Sequence, residues 1–396
     1  MNAELKEALK RLLPAKIYDL FIHFYGSLYY VFRLFPVKQD KIVFCNFLGN
    51  GYGDNPKYIA EEIIRRGMTC DLVWLLREDV MDRTSMPVSI RKAKIGSIRA
   101  IYETVTARVW VDNARKPWYV QKRNGQYYVQ TWHGGPALKR VENDAVEGLS
   151  PQYVKSAQMD SRKIDVCLSN CRHYTDLIKR SFWYGGEILE CGFPRNDIIN
   201  SASHGLERSI RDKFGLSEGA RIVLYAPTFR NSRSADAYKL DIDRCLASLS
   251  QRFPGNWTLM LRLHPNIQSQ RVLLSHHEHV IDATQYEDLQ ELLCAVDAVI
   301  TDYSSVMFDF AQRRKPVFLF APDIESYKLE RNFYFSLDDL PFPVAQDNRS
   351  LMSNIVEFNQ NAYVSAVDAF FASVGLTEKG EAAKIVVDRI EKELTG

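Results

Sequence analysis

Three short polar clusters hold the residue types that group transfer needs: Thr131-Trp132-His133-Gly134-Gly135-Pro136, Arg262-Leu263-His264-Pro265, and the run from Thr301 through Asp302, Tyr303, Ser304 and Ser305 to Asp309. In the first, an imidazole that titrates near neutrality is the usual base for removing a proton from an attacking hydroxyl. Gly134 and Gly135 behind it let another molecule approach the backbone closely. A lone histidine in such a place also serves simply to close a turn. In the second, Arg262 and His264 stand two apart and share one face of an extended segment. Guanidinium and imidazolium donors there would neutralise charge building on a pyrophosphate leaving group without a metal; a surface ion pair is the plainer alternative. In the third, Ser304 and Ser305 would sit where a strand passes into a helix. They would offer hydroxyls and free N–H groups to a phosphate, or act as an ordinary helix cap.

The elements that must carry these clusters alternate along the chain. Strands are predicted at Lys41 to Phe47, Leu72 to Leu76, Val109 to Asp112, Tyr127 to Thr131 and Asp165 to Ser169, with helices from Asn55 to Gly67 and near Ile95 to Ala107 and His173 to Phe182. After a small-residue stretch from Gly192 to Gly205, a second series follows at Arg221 to Ala226, Trp257 to Leu263, His279 to Ile281, Ala298 to Thr301 and Pro316 to Phe320. Such alternation is the signature of parallel sheets with helices on both faces, and in those sheets ligands bind beyond the carboxyl ends of the strands. The division expected is a helical segment over 1–38, a Rossmann-like domain over 39–195 and a second over 206–396, in keeping with 396 residues.

Composition narrows the classes. Hydrophobic residues make up 46% and charged residues 25%, near globular averages, so neither disorder nor a polytopic membrane protein is indicated. Fifty-one basic residues against 49 acidic ones give no reason to expect nucleic-acid binding. The seven cysteines are scattered without a C-x-x-C pair and read as reduced core residues, not zinc ligands. Gly49, Gly51 and Gly53 lack the dinucleotide spacing, and His276, His277 and His279 fall in a predicted surface loop, so no metal is assigned. Lys139 and Arg140 would attract a pyrophosphate lipid or be a solvated face.

Before the first strand, Leu13, Ile17, Leu20, Phe24, Leu28, Val31 and Phe35 recur at intervals of three and four, beside Lys6, Lys10, Arg11 and Lys16. The pattern is that of a basic amphipathic helix on a bilayer surface; a helix packed on the protein's own core or on a second copy would look the same. Asp19, His23 and Arg33 interrupt the run, which excludes a spanning segment.

Taken in order, Gln130 to Gly134, Tyr225-Ala226-Pro227-Thr228-Phe229-Arg230, Arg262 to Pro265, and Thr301 to Ser305 with Asp309 resemble the successive motifs of the CDP-glycerol glycerophosphotransferase family. The resemblance covers roughly residues 40 to 390. It implies two Rossmann-like domains in a GT-B arrangement, CDP-glycerol as donor, no cofactor, and functional histidines at His133 and His264. It implies donor phosphate contacts at Arg262, Ser304 and Ser305, with Asp309 supporting that helix or contacting the glycerol. Gly134, Arg230, Thr301 and Asp302 join the expected substrate-binding set. The acceptor would be a lipid-linked saccharide or a polyol phosphate chain at the cytoplasmic face of the membrane, as in teichoic acid or capsule synthesis. This chain departs from the family's common His-Gly-Thr-Pro, having Gly135 in place of the threonine and lacking its hydroxyl. About forty residues precede the catalytic part, a size that matches primases better than the long polymerases. Transfer from CDP-ribitol, glycosyl transfer from a UDP-sugar, and a catalytically silent membrane scaffold are the alternatives.

Overall fold

Strands buried on both faces read as unbroken apolar runs, which is how most of the first series is written. The computed structural model describes residues 15–201, 204–217, 219–228, 230, 239–263, 277–325, 327 and 332–396. In it the first series forms a seven-stranded, wholly parallel sheet, in the order β3-β2-β1-β4-β5-β6-β7. Its strands are β1 (Lys38–Cys45), β2 (Asp71–Leu76), β3 (Ile90–Lys94), β4 (Ala107–Asp112), β5 (Tyr127–Gln130), β6 (Val166–Ser169) and β7 (Glu187–Glu190). Trp74, stacked 5.6 Å from Phe44, and Trp110, 5.8 Å from Tyr128, fill the core on either side of it. The strand order reverses between β1 and β4, and a crevice opens at the carboxyl ends wherever a parallel sheet does this.

In this sheet the strands that the sequence pattern does not announce are the two at the edges. β3 carries Arg91, Lys92 and Lys94, and β7 begins and ends in glutamate. Charge on an edge strand blocks pairing with another chain, and it also erases the apolar signal by which a strand is recognised.

The second series forms a six-stranded parallel sheet in the order β10-β9-β8-β11-β12-β13. It comprises β8 (Arg221–Ala226), β9 (Trp257–Leu261), β10 (Val280–Asp282), β11 (Ala298–Thr301), β12 (Val317–Phe320) and β13 (Val344–Ala345). Here the order reverses between β8 and β11. Both sheets of the expected α/β fold are therefore present.

The chain divides into one unit of residues through His133, Val141–Asp197 and Thr377–Gly396, and another of Gly134–Arg140 and Ile198–Leu376. The sequence pattern had grouped 206–396 together, but Thr377–Gly396 packs with the first unit. Thr377 N–H donates to the Asn170 carbonyl at 2.8 Å. Glu378 accepts from the Asn170 and Asn196 side chains and from Phe193 N–H, at 3.1, 2.8 and 3.1 Å. Asp197 caps the helix Ala382–Thr395 by accepting from Ala382 and Ala383 N–H at 2.9 and 2.7 Å. Periodicity marks a helix as amphipathic without saying which sheet it covers. The stretch expected as a linker is also structured, holding the turn Pro194–Asn196 and the helix Asp197–Ser201.

Helix Ala15–Val31 has two working faces. Ile22, Tyr25 and Tyr29 are buried, Tyr25 meeting Tyr119 edge-on at 5.5 Å, and His23 lies 5.0 Å from Trp118. The face made by Ile17, Leu20, Phe24 and Val31 is exposed, Leu20 to 71% and Phe24 to 63%. Leu13, Lys6, Lys10 and Arg11 lie outside the described residues.

Candidate active site

Within the first unit, three neighbouring strands end at one place. Asn46 follows β1, Asn113 follows β4, and His133 comes three residues after β5. Asn113 donates through Nδ2 to Asn46 Oδ1 at 2.8 Å and accepts the Phe47 N–H at 2.7 Å, which joins the first two ends across the reversal of strand order. The Asn113 carbonyl oxygen lies 2.7 Å from His133 Nδ1. A carbonyl only accepts, so the hydrogen bond assigns the proton to Nδ1 and leaves the Nε2 lone pair free. Nε2 has no hydrogen-bond partner among the described residues. Burial pulls the imidazole's pKa below its ordinary value, against the Asn113 carbonyl and the Asp54 carboxylate, which favour the charged ring. The result is a neutral imidazole oriented as a proton acceptor.

The ring is held from both sides. It stacks on Trp132 at 4.6 Å and meets Phe47 edge-on at 5.0 Å. Trp132 has a φ of 51°, a left-handed conformation that costs a non-glycine residue about 1 kcal/mol or more. Two side chains hold it there: Gln130 Oε1 accepts its N–H at 2.9 Å and Asn55 Nδ2 donates to its carbonyl at 3.0 Å. Arg195 donates to the His133 carbonyl at 2.7 Å and pairs with Asp54 at 2.9 Å, while its own N–H reaches Asn55 Oδ1 at 3.1 Å. Below Trp132, the Arg115 guanidinium lies 5.5 Å from that ring and 5.3 Å from Phe182, and is bonded to Ser161 and Glu142 at 2.8 and 3.1 Å. Asn113, Asp54, Asn55, Arg195 and Arg115 were not foreseen as part of this site. The available signals were that Asn113 ends a strand and that Asp54-Asn55-Pro56 opens a helix, as His133 also follows a strand.

In the second unit the predicted residues separate into two groups. Arg230 uses all five donors internally: Nε and Nη2 to Asp323 at 2.5 and 3.0 Å, Nη2 to Asp302 at 2.8 Å, and Nη1 to the Thr228 carbonyl and hydroxyl at 2.8 and 2.6 Å. Its guanidinium lies between the Tyr303 and Tyr327 rings at 4.8 and 4.9 Å. Burial opposes the charge, and the carboxylates of Asp323 and Asp302 more than offset it, holding the pKa above the ordinary arginine value. Asp302 also accepts from Thr228 N–H at 2.9 and 3.1 Å and from Tyr303 N–H at 2.6 Å. Thr301 donates to the Ala226 carbonyl at 2.7 Å, and Asp309 accepts from Gln290 at 3.2 Å. All four predicted side chains are buried. Thr301, Asp302 and Arg230 tie the end of β8 and the loop after it to the end of β11 and the loop after it, a bracing arrangement with no donor on Arg230 to spare for a ligand, while Asp309 ties its helix to the helix Leu289–Ala295.

Arg262, Ser304 and Ser305 are placed differently, each half-buried. Arg262 donates to the Tyr286 carbonyl at 2.5 Å and forms no ion pair among the described residues. Burial pulls its pKa down to about 10, with Asp288 acting the other way, so it stays charged at neutral pH without a paired carboxylate. An anion would relieve that charge. Ser304 Oγ accepts weakly from Val306 N–H at 3.4 Å, and Ser305 makes no side-chain cap to the helix Val306–Ala311. A Cβ on Gly134 would lie 3.5 Å from Ser305 Oγ, in ordinary contact, which places the Gly134 backbone beside Ser305. His264 and Phe229 lie outside the described residues. Lys139 Nζ stands 5.2 Å over the Tyr327 ring. Among the described residues no three His, Cys, Asp or Glu side chains converge as metal ligands, and His277 bonds Asp243 at 3.0 Å.

Residues 27–392 match the profile of the family described as CDP-Glycerol:Poly(glycerophosphate) glycerophosphotransferase. The teichoic acid poly(glycerol phosphate) polymerase of Staphylococcus epidermidis is 33% identical over 374 residues, which are 90% of this chain and 51% of that protein. The chain thus spans about half the length of that relative. The teichoic acid poly(glycerol phosphate) polymerase of Bacillus spizizenii is 28% identical over 397 residues, 96% of this chain and 100% of that protein. A solved structure of the wall teichoic acid polymerase TagF is similar with a TM-score of 0.82 and 31% identity over 96% of each chain. A variant of TagF soaked with CDPG gives a TM-score of 0.83 at 30% identity, again over 96% of each.

Proposed function

The chain belongs to the CDP-glycerol:poly(glycerophosphate) glycerophosphotransferase family, and from that premise we propose that it moves glycerol phosphate from CDP-glycerol to a hydroxyl of a lipid-linked saccharide or polyol phosphate acceptor, releasing CMP, in teichoic acid or capsule synthesis. The observation that carries this reading is the bond from His133 Nδ1 to the Asn113 carbonyl, which presents Nε2 as a base. In the first unit, Nε2 takes the proton of the acceptor hydroxyl. The acceptor oxygen forms a bond to the β-phosphorus of CDP-glycerol as the bond from that phosphorus to the bridging oxygen breaks, and CMP departs with the bridging oxygen. In the second unit, Arg262, Ser304, Ser305 and the Gly134 backbone hold the donor phosphates, with His264 assigned to the same task. Thr301, Asp302, Asp309 and Arg230 hold the loops that present them. The GT-B pairing of the two units belongs to the same proposal.

His133→Ala should lower kcat by about a thousandfold, the usual worth of a general base, with the KM for CDP-glycerol little changed. Unaltered CMP release would remove the base assignment. CDP-ribitol and UDP-sugars in the same donor assay test the other readings, and a chain that releases neither CMP from the CDP-polyols nor UDP from the UDP-sugars is a scaffold. Length does not separate one added unit from many, since a relative named a polymerase is covered in full. Mass spectrometry of a lipid-linked disaccharide after reaction decides: a single added glycerol phosphate means a primase, a ladder a polymerase.

Attachment at the cytoplasmic face of the membrane is part of the same reading, supported by the exposed stripe of Ile17, Leu20, Phe24 and Val31 continued by Leu34 at 87% exposure. Among the described residues no helix is long and apolar enough to cross a membrane. Replacing Leu20 and Phe24 together by serine should abolish sedimentation with neutral phosphatidylcholine vesicles, and undiminished sedimentation would refute a surface role for the helix.

A further inference from the structure

At the amino ends of β1, β2 and β3, the first unit has an open groove of about 600 Å³ lined by Lys38, Arg91, Arg99, Asp71, Glu103 and Tyr102. The carboxylates in it are already neutralised. Arg91 forks onto Asp71 at 2.8 and 2.7 Å and onto Glu103 at 2.7 and 3.2 Å, and the buried Lys41 takes Glu103 from beneath at 2.5 Å. Lys38 has no ion pair among the described residues and Arg99, 62% exposed, reaches Glu103 only at 3.5 Å. Two cations therefore face the groove with charge to spare. The groove is also continuous with apolar surface: Tyr102 meets Phe35 edge-on at 5.3 Å, Phe35 and the neighbouring Leu34 are exposed, and Ile98 on the groove wall is 65% exposed. Phe35 and Leu34 continue the exposed stripe of helix Ala15–Val31.

We infer that this groove seats the phosphodiester headgroup of an anionic phospholipid, with Lys38 and Arg99 contacting the phosphate while Leu34, Phe35 and Ile98 enter the acyl boundary beside it. The inference rests on the membrane reading of the helix and adds to it a charged contact of defined place. Cations beside an apolar stripe are the combination that binds an anionic bilayer, each half weak alone. Donor phosphate is not the occupant, because the groove lies at the amino ends of the strands whereas His133 lies beyond the carboxyl end of β5.

The test is co-sedimentation of the full chain with vesicles of phosphatidylcholine alone and with roughly one third phosphatidylglycerol, for the parent, for Lys38→Ala with Arg99→Ala, and for Leu20→Ser with Phe24→Ser. The cation variant should bind neutral vesicles as the parent does, lose about thirtyfold of its affinity for anionic vesicles, and keep its rate of CMP release with a soluble acceptor. Unchanged affinity of that variant for anionic vesicles would overturn the groove while leaving the helix in place. Failure of the parent to bind either vesicle would instead remove the membrane reading itself. Displacement of the parent from anionic vesicles by inorganic phosphate at constant ionic strength would show a site for free anions and equally overturn a lipid site.

Discussion

A histidine that acts as a base must be neutral when the acceptor arrives, and the surroundings of His133 decide at what pH that holds. Burial lowers its pKa and the Asp54 carboxylate partly restores it. The proposed mechanism requires the unprotonated ring, so the acid limb of kcat/KM should fall below the ordinary histidine range near 6.5. Asp54→Asn removes the carboxylate that favours the imidazolium and leaves Arg195, which disfavours it, beside the ring. The acid limb should therefore move lower still, a shift that a merely structural role for Asp54 would not produce; a limb that stays put or rises would contradict the assignment. At this scale the sequence singles out His133 because it follows a strand and precedes two glycines. It did not show Asn113, Asp54 or Arg195, which lie 20, 79 and 62 residues from it and have no local pattern that separates them from other polar residues.

Elements decide what a residue named by a motif is bonded to. Arg230 stood in the expected substrate-binding set, yet the loops after β8 and β11 consume all five of its donors. A motif records which residue is present, not which way its donors point. The two groups in the second unit should accordingly respond differently. Arg230→Ala takes the guanidinium from the buried Asp302 and the half-buried Asp323 and should cost about 3 kcal/mol or more of stability, lowering Tm and activity together. Arg230→Lys should not rescue it, because an ammonium cannot reproduce the planar fork. Ser305→Ala should raise the Kd for CDP-glycerol with no change in Tm. Calorimetry beside nucleotide titration separates the cases, and a stable Arg230→Ala protein with weakened donor binding would return Arg230 to direct contact. The same limit applied to strands. The buried ones, β8 and β11, were legible to the residue, whereas β3 and β7 were hidden by the charges that protect sheet edges.

For the molecule as a whole, the chain leaves its first unit at Asp197 and returns at Thr377, so the second sheet is inserted into the first unit's sequence. The returning segment is part of the first unit's core: Val386, Val387 and Ile390 of helix Ala382–Thr395 are buried, and Arg66 pairs with Asp388 at 2.6 Å. Three aliphatic side chains at about 2 kcal/mol each, with the bonds that Asp197, Asn170, Asn196 and Phe193 N–H make to this segment, amount to much of the stability of a domain this size. Removing residues 377–396 should therefore unfold the first unit first. The second unit keeps its whole sheet and the Arg230 brace, so the truncated protein should lose CMP release completely while still binding CDP-glycerol. Two calorimetric transitions in the full chain, the first shifted down or missing after truncation, would be the physical signature. Loss of donor binding in step with CMP release would mean that the second unit does not stand without the first, and the assignment of donor recognition to Arg262, Ser304 and Ser305 would then have to rest on single substitutions alone.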